Sequence, residues 1–232
     1  MQKEYKIGAV IVAAGSGLRF GERKQFKKLR SNPLYLYSLQ RFLDCDLINE
    51  IVLVVPKDLL KTIIFEVRKK YPTSAIKIVA GGKLRQDSVL CGINRLSNTS
   101  EIVCIHDAAR PFVSTDLINK TILACKQSDG AIAAMPSCDT VKKVNVSNNQ
   151  ITETIAREKI WLAQTPQVFH RKQLVKALSY AKDNKIKVTD ESTLLESMNY
   201  SIAVVEGNTD NFKITTKNDW KFAELLLEQY ND

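Results

Sequence analysis

Residues 13 to 25, AAGSGLRFGERKQ, set three glycines and the cations Arg19 and Lys24 directly after an apolar run. Glycines at such a point let backbone N–H groups converge on an anion, and concave arrays of donors bind phosphate. Two familiar glycine loops do not fit. A P-loop needs G-x-x-x-x-G-K-[ST], but Gly15 and Gly21 stand one residue too far apart and Glu22 follows where the lysine belongs. The dinucleotide fingerprint needs G-x-G-x-x-G, and Gly15, Gly17 and Gly21 carry one residue more. Two readings remain: a phosphate loop that brings its own positive charge, or an ordinary strand-to-helix turn with solvated charges.

Further polar clusters follow other apolar runs. In GGKLRQDSV, Gly81 and Gly82 permit close backbone approach, and Ser88 falls at a helix start where N–H groups are free, either to hold a ligand or to cap a turn. HDAARP puts Asp107 at a strand end beside Arg110. Mg²⁺ is commonly held through one or two carboxylates plus substrate phosphates, so Asp107 is the candidate metal ligand; its alternative is a helix or turn cap. QTPQVF reads as a polar turn carrying Thr165 and Gln167. TDES offers Thr189, and DNFKIT offers Lys213 in a strand-like setting.

The elements that must position these groups are legible as alternating periods. Apolar, β-branched runs at Ile7–Ala14, Glu50–Val55, Ala75–Ala80, Glu101–His106 and Gly130–Pro136 predict strands buried on both faces. Stretches with i, i+3, i+4 apolar spacing lie between them, at Pro33–Leu43, Asp58–Lys70, Gln86–Leu96 and Ser114–Gln127. Alternation of this kind predicts an α/β fold with a mostly parallel sheet and helices on both faces, its ligands at the carboxyl ends of the strands. The pattern breaks at residues 139–160, where two polar, β-prone runs flank Ser147-Asn148-Asn149-Gln150 and predict a hairpin arm that seeks a partner chain. Further helices are expected over RKQLVKALSYAKDN and TDESTLLESM, then a strand over YSIAVVEG and a last helix opened by a Thr216–Asp219 capping box. Residues 1–232 are expected to form one domain.

Composition sets the bounds. The chain has 232 residues, 44% of them hydrophobic, which suffices for one sizeable core. No apolar stretch approaches the roughly 18 residues that span a bilayer, and MQKEYKIGAV lacks a basic-then-apolar leader, so the expectation is a cytoplasmic protein without a membrane partner. Five scattered cysteines suggest neither a disulfide framework nor a zinc site and are read as core or near-core thiols; two histidines make a His-based metal site improbable. The net charge of +9 favours anionic partners. The lysines are spread along helices such as KTIIFEVRKKY rather than gathered in a stripe, which argues against nucleic acid.

The motifs AAGSGLRFG with Lys24-Gln25, GGKLRQDSV, HDAARPF, DTVKK, TIAR with WLAQTPQVF, TDES and DNFKIT, in that order, resemble those of the 2-C-methyl-D-erythritol 4-phosphate cytidylyltransferase family. The resemblance runs from the first strand to the last helix. It implies a Rossmann-like nucleotidyltransferase that joins CTP to the polyol phosphate with Mg²⁺ and releases pyrophosphate. Carried over by motif, Ala13, Ala14, Gly15, Gly17, Gly82 and Ser88 would hold the nucleotide, Arg19 and Lys24 would be catalytic, and Asp107 would take the metal. Thr165, Thr189 and Lys213 would hold the sugar phosphate, with Arg157 reaching it from a neighbouring subunit of a homodimer. Three positions depart from the family pattern: Arg23 replaces a proline, Phe20 a methionine, and Ile155-Ala156 precede Arg157 in place of valine and aspartate. Ribitol 5-phosphate cytidylyltransferase is the near alternative, although WLAQTPQ and TDES look closer to the methylerythritol enzyme. A non-catalytic basic nucleotide- or RNA-binding protein is the alternative of another class.

Overall fold

The computed structural model describes residues 5–229. The chain runs β1 (Ile7–Val12), β2 (Lys28–Leu29), β3 (Asn32–Pro33), α1 (Leu34–Leu43), β4 (Glu50–Val55), α2 (Leu60–Lys70), β5 (Ile76–Ala80), α3 (Arg85–Arg95), β6 (Ile102–Asp107) and α4 (Thr115–Cys125). It continues through β7 (Gly130–Pro136), β8 (Val141–Asn145), β9 (Gln150–Ile155), β10 (Trp161–His170), α5 (Arg171–Asp183), α6 (Glu191–Ser197), β11 (Ile202–Glu206) and α7 (Lys217–Gln229). Seven strands form the central sheet in the order β11-β7-β10-β6-β1-β4-β5. Every neighbouring pair is parallel except those made by β10, which runs antiparallel to both β6 and β7.

All six residues of β1 and all six of β6 are buried; β1 is apolar throughout, as a strand covered on both faces requires, whereas β6 ends in His106 and Asp107, whose polar groups are paired inside the fold. The pleat sorts them. Ile7, Ala9 and Ile11 join one core with α1, α2 and α4, whereas Val10 and Val12 join a second with α3, α5 and α6. A third cluster packs α7 against the β1–α1 connection through Phe20, Leu29, Leu34 and Trp220. On α2, Ile63 and Val67 face the core while Arg68, Lys69 and Lys70 are exposed, the solvated face its spacing predicts.

The strands expected at 50–55 and 130–136 form with those bounds, and β8 and β9 pair as an antiparallel hairpin outside the main sheet, with most residues exposed. The last helix starts as expected: Asp219 accepts from Thr216 N at 2.7 Å and Thr216 Oγ1 accepts from Asp219 N at 3.1 Å. Three expectations are corrected. Gln164–Phe169 is no turn but the buried inner half of β10, interrupted by a register shift between Ala163 and Gln167 around the cis Thr165–Pro166 bond. Lys213 lies in a connection without regular structure, tethered where Ile214 N donates to Ala109 O at 2.9 Å. Of the cysteines, Cys138 is exposed; Cys45, Cys104 and Cys125 are buried and Cys91 half-buried, and all five are free. Among the described residues no helix is long and apolar enough to cross a membrane.

Candidate active site

The chain leaves β1 toward β4 and β5 on one side and returns to β6 on the other, so the strand order reverses between β1 and β6. Open α/β sheets bind ligands in the crevice beyond the carboxyl ends of strands at such a switch. Here that crevice is a cleft of about 500 Å³, bounded by residues 14–19, Lys24 and Gln25 on one side, by Gly82–Arg85 and Ser88 on another, and floored by Asp107, Ala109 and Lys213.

The first wall is shaped by backbone. Gly17 has φ +72°, and a Cβ there would stand 1.9 Å from Glu22 O, so only glycine closes this turn. Phe20 N and Gly21 N fold back onto Gly17 O at 2.9 and 3.1 Å, and the Phe20 ring lies 5.6 Å from that of Trp220 on α7. The backbone N–H groups from Gly15 to Arg19 are left without a backbone acceptor among the described residues. Gln25 Nε2 donates to Gly15 O at 3.1 Å and steadies the loop from behind. Lys24 opens a short 3-10 turn and is buried, its Nζ 5.7 Å from the Phe20 ring. Burial, then the nearby charges of Lys213 and Arg19, lowers the Lys24 pKa from its ordinary value. In place of the family's proline, Arg23 pairs with Asp58 at 2.6 Å.

The second wall is the start of α3. A Cβ on Gly82 would meet Asp87 Cβ at 2.4 Å, which fixes a glycine where β5 hands over to the helix. Ser88 Oγ accepts from Gly82 N and donates to Leu84 O, each at 3.1 Å. The hydroxyl therefore holds the glycine turn as it lines the cleft.

Asp107 is the hub of the floor. Arg85 Nε donates to its Oδ1 at 3.0 Å and Lys213 Nζ to its Oδ2 at 2.6 Å. Burial alone would raise its pKa, but Arg85, Lys213 and Arg110 outweigh that and hold the carboxyl well below the usual carboxylate range. Arg85 also grips both oxygens of the fully buried Glu191, at 2.7 and 2.6 Å. Beneath the floor, Asp107 N donates to Thr165 Oγ1 at 3.1 Å, and Thr165 Oγ1 meets His106 Nδ1 at 3.0 Å. His106 Nε2 faces Arg110 O at 3.0 Å and must carry the proton, since a carbonyl only accepts. Burial pushes the His106 pKa down to about 4, so the neutral ring receives the Thr165 hydroxyl at Nδ1.

Of the residues singled out in the sequence, Ala14, Gly15, Gly17, Arg19, Lys24, Gly82, Ser88, Asp107 and Lys213 line the one cleft. Ala13 is fully buried in the core, and Thr165 is buried under Asp107. Thr189 is exposed in the connection before α6, and Arg157 lies beside the hairpin, where its NH1 donates to Cys138 O at 2.8 Å. Sequence reasoning passed over Arg85, Glu191, Gln25 and Lys83. Arg85 and Glu191 stand inside motifs that were quoted, GGKLRQDSV and TDES, but their pairing across 106 positions has no local signal.

Arg19, Lys24, Lys83, Arg85 and Lys213 thus line a cleft whose one lining carboxylate is Asp107, an excess of positive charge suited to a polyanion. A mostly parallel sheet with a glycine loop and this cleft at its switch point defines an α/β nucleotidyltransferase. A family model described as 2-C-methyl-D-erythritol 4-phosphate cytidylyltransferase matches residues 7–229, and the chain belongs to that family. It is 40% identical over 227 residues to the enzyme of that name from Syntrophus aciditrophicus, covering 97% of each chain. A solved structure of 4-diphosphocytidyl-2C-methyl-D-erythritol synthase from Anaerococcus prevotii superposes with a TM-score of 0.87 at 34% identity, covering 97% of both chains. The 2-C-methyl-D-erythritol 4-phosphate cytidylyltransferase of Thermus thermophilus gives 0.79 at 28% identity, over 96% of this chain and 99% of that one.

Proposed function

We propose that this chain transfers the CMP moiety of CTP to 2-C-methyl-D-erythritol 4-phosphate in non-mevalonate isoprenoid biosynthesis. An oxygen of the acceptor's phosphate attacks the α-phosphorus. One P–O bond forms there while the bond to the bridging oxygen breaks, and pyrophosphate leaves with the electron pair. Two anions must approach each other, so catalysis consists of positioning and charge neutralisation, with no side-chain nucleophile. The observation that carries this reading is the convergence of Arg19, Lys24 and Lys213 on the glycine-loop cleft, in a chain that the cytidylyltransferase family model matches from β1 into α7.

In this reading Ala14, Gly15 and Gly17, with the free N–H groups of their loop, hold the nucleotide, the buried Ala13 anchors the loop to β4 through Val54 O, and Gly82 and Ser88 hold the base and ribose. Arg19 and Lys24 embrace the triphosphate and stabilise the charge that builds on the α-phosphate. Lys213 and Thr189 hold the acceptor phosphate, and Thr165, buried with its hydroxyl committed to His106 and to Asp107 N, supports the floor beneath it. The donor chemistry of Asp107 fits Mg²⁺, since its ionised oxygens each keep a lone pair beyond their bonds to Arg85 and Lys213. Asp107 would be the protein carboxylate on the ion, with substrate phosphates and water supplying the other ligands. Mg²⁺, when bound, neutralises triphosphate charge. The chain acts in the cytoplasm as a homodimer joined through the 139–160 arm, a reading supported by its free cysteines and by the exposed Val144, Val146, Ile151, Trp161 and Leu162 on and beside the hairpin. Arg157 then serves the partner's acceptor site.

The test is pyrophosphate release from CTP and Mg²⁺ with methylerythritol 4-phosphate or ribitol 5-phosphate. Release with the first supports the proposal; release with ribitol 5-phosphate alone overturns it, and release with neither returns the chain to non-catalytic binding.

A further inference from the structure

The first two residues of α3 reach across to α6 and to the segment that leads into it from α5. Gln86 Nε2 donates to Ile186 O at 3.0 Å, and Gln86 Oε1 accepts from Val188 N at 3.3 Å. One side-chain amide thereby pairs with the segment as a neighbouring strand would. Immediately beyond, Arg85 holds Glu191. Asp190 is held from a third direction: it accepts from Gln167 Nε2 of β10 at 2.9 Å and caps α6 through Thr193 N at 3.2 Å.

Thr189 is the residue left between these fixed points, and it is exposed. Gln86 does not line the cleft and touches none of the groups assigned to the reaction. Its amide is committed to the backbone that carries Thr189, whereas its own helix carries Ser88 on the nucleotide side of the cleft. We propose that Gln86 is a positioning residue for the acceptor subsite: it holds the Thr189 segment to α3, so that affinity for the polyol phosphate depends on a side chain of the nucleotide-side helix. The proposal rests on the assignment of Thr189 to the acceptor made above.

A mere staple would affect stability or both substrates alike, whereas a positioning residue acts on one substrate and through one partner. Gln86→Ala is expected to raise KM for methylerythritol 4-phosphate by about threefold to tenfold, the worth of one or two net hydrogen bonds. The kcat and the KM for CTP stay within about twofold, a shift too small to register as a lost hydrogen bond. Amide exchange over residues 184–190 speeds up in the variant without any substrate present. In a double-mutant cycle, Gln86→Ala adds nothing to the acceptor KM of Thr189→Val, because both act through the same contact. An unchanged acceptor KM, an equal rise for CTP, or additivity with Thr189→Val overturns the proposal. A wild-type chain inactive on methylerythritol 4-phosphate brings down the underlying reading, whereas an active wild type with an unresponsive Gln86→Ala brings down the proposal alone.

Discussion

Lys213 Nζ donates to Asp107 Oδ2 at 2.6 Å across 106 positions of sequence, and so fastens the segment before α7 onto the carboxyl end of β6. Arg85 takes the other carboxylate oxygen. Asp107 thus gathers two cations at the mouth of the switch point, while the acid that shares Arg85, Glu191, is fully buried and does not line the cleft.

Lys213→Ala leaves Asp107 paired with Arg85, so the fold survives while the cleft loses the cation proposed for the acceptor phosphate. Turnover is expected to fall at least about a hundredfold, the usual cost of removing one preorganised charged donor. Steady-state kinetics beside a circular dichroism melt checks both halves, and near-normal turnover would remove Lys213 from the site.

Arg19 and Lys24 separate catalysis from stability. Arg19 is exposed, and Arg19→Ala is expected to cut turnover at least about a hundredfold with stability changed by no more than about 0.5 kcal/mol. Lys24 is buried with its pKa below that of the unfolded chain. The unfolded state therefore binds more protons between the two pKa values, stability rises with pH through that interval, and the charged lysine is a cost at neutral pH. Lys24→Met is expected to abolish turnover while raising Tm by roughly 2–4 °C, equivalent to about 1 kcal/mol for a chain of this size. A lower Tm for Lys24→Met would contradict the crowded-cation reading.

His106 predicts an acid-sensitive floor. Its folded-state pKa of about 4 lies below the unfolded value of 6.5, so its contribution to stability is present above about pH 6.5 and is lost as pH falls toward 4, amounting to about 3 kcal/mol. NMR should show its imidazole silent between pH 5 and 8, with denaturant midpoints falling over the acid interval. A His106 resonance titrating near pH 6.5 would refute the tautomer and its bonds to Thr165 and Arg110.

The buried parallel strands were legible because strands covered on both faces read as nearly continuous apolar runs, as in IGAVIV and the IVLVV that follows Glu50. The hairpin was legible from its turn, where Asn149 takes φ +54°. β10 was not. Its inner half carries Gln164, Thr165 and Gln167, polar residues that pass for a turn until their bonds to Asn211, His106 and Asp190 are seen inside the fold. Arg19, Lys24 and Asp107 declared themselves by following strands, whereas Arg85 and Glu191 gained meaning only from each other. No periodicity in a single chain encodes that kind of long-range pairing.

The arm carries a prediction of its own. Val146 and Ile151 are strongly exposed on the hairpin, and placing Val146→Glu with Ile151→Glu there is expected to convert a dimer into a monomer in sedimentation velocity. Turnover should fall in step, because Arg157 would no longer reach a partner's site. A wild-type chain that sediments as a monomer with full activity would contradict the arm's assignment.

Cleavage at the α-phosphorus of CTP separates cytidylyl transfer from transfer of the terminal phosphoryl group, and isotope placement distinguishes the two. Wild-type protein, Mg²⁺ and methylerythritol 4-phosphate are incubated in parallel with CTP labelled at the α- or at the γ-phosphorus. The α-label is expected to move onto the polyol product and the γ-label to emerge in pyrophosphate. A γ-label on the polyol, or no transfer of the α-label, would contradict cytidylyl transfer.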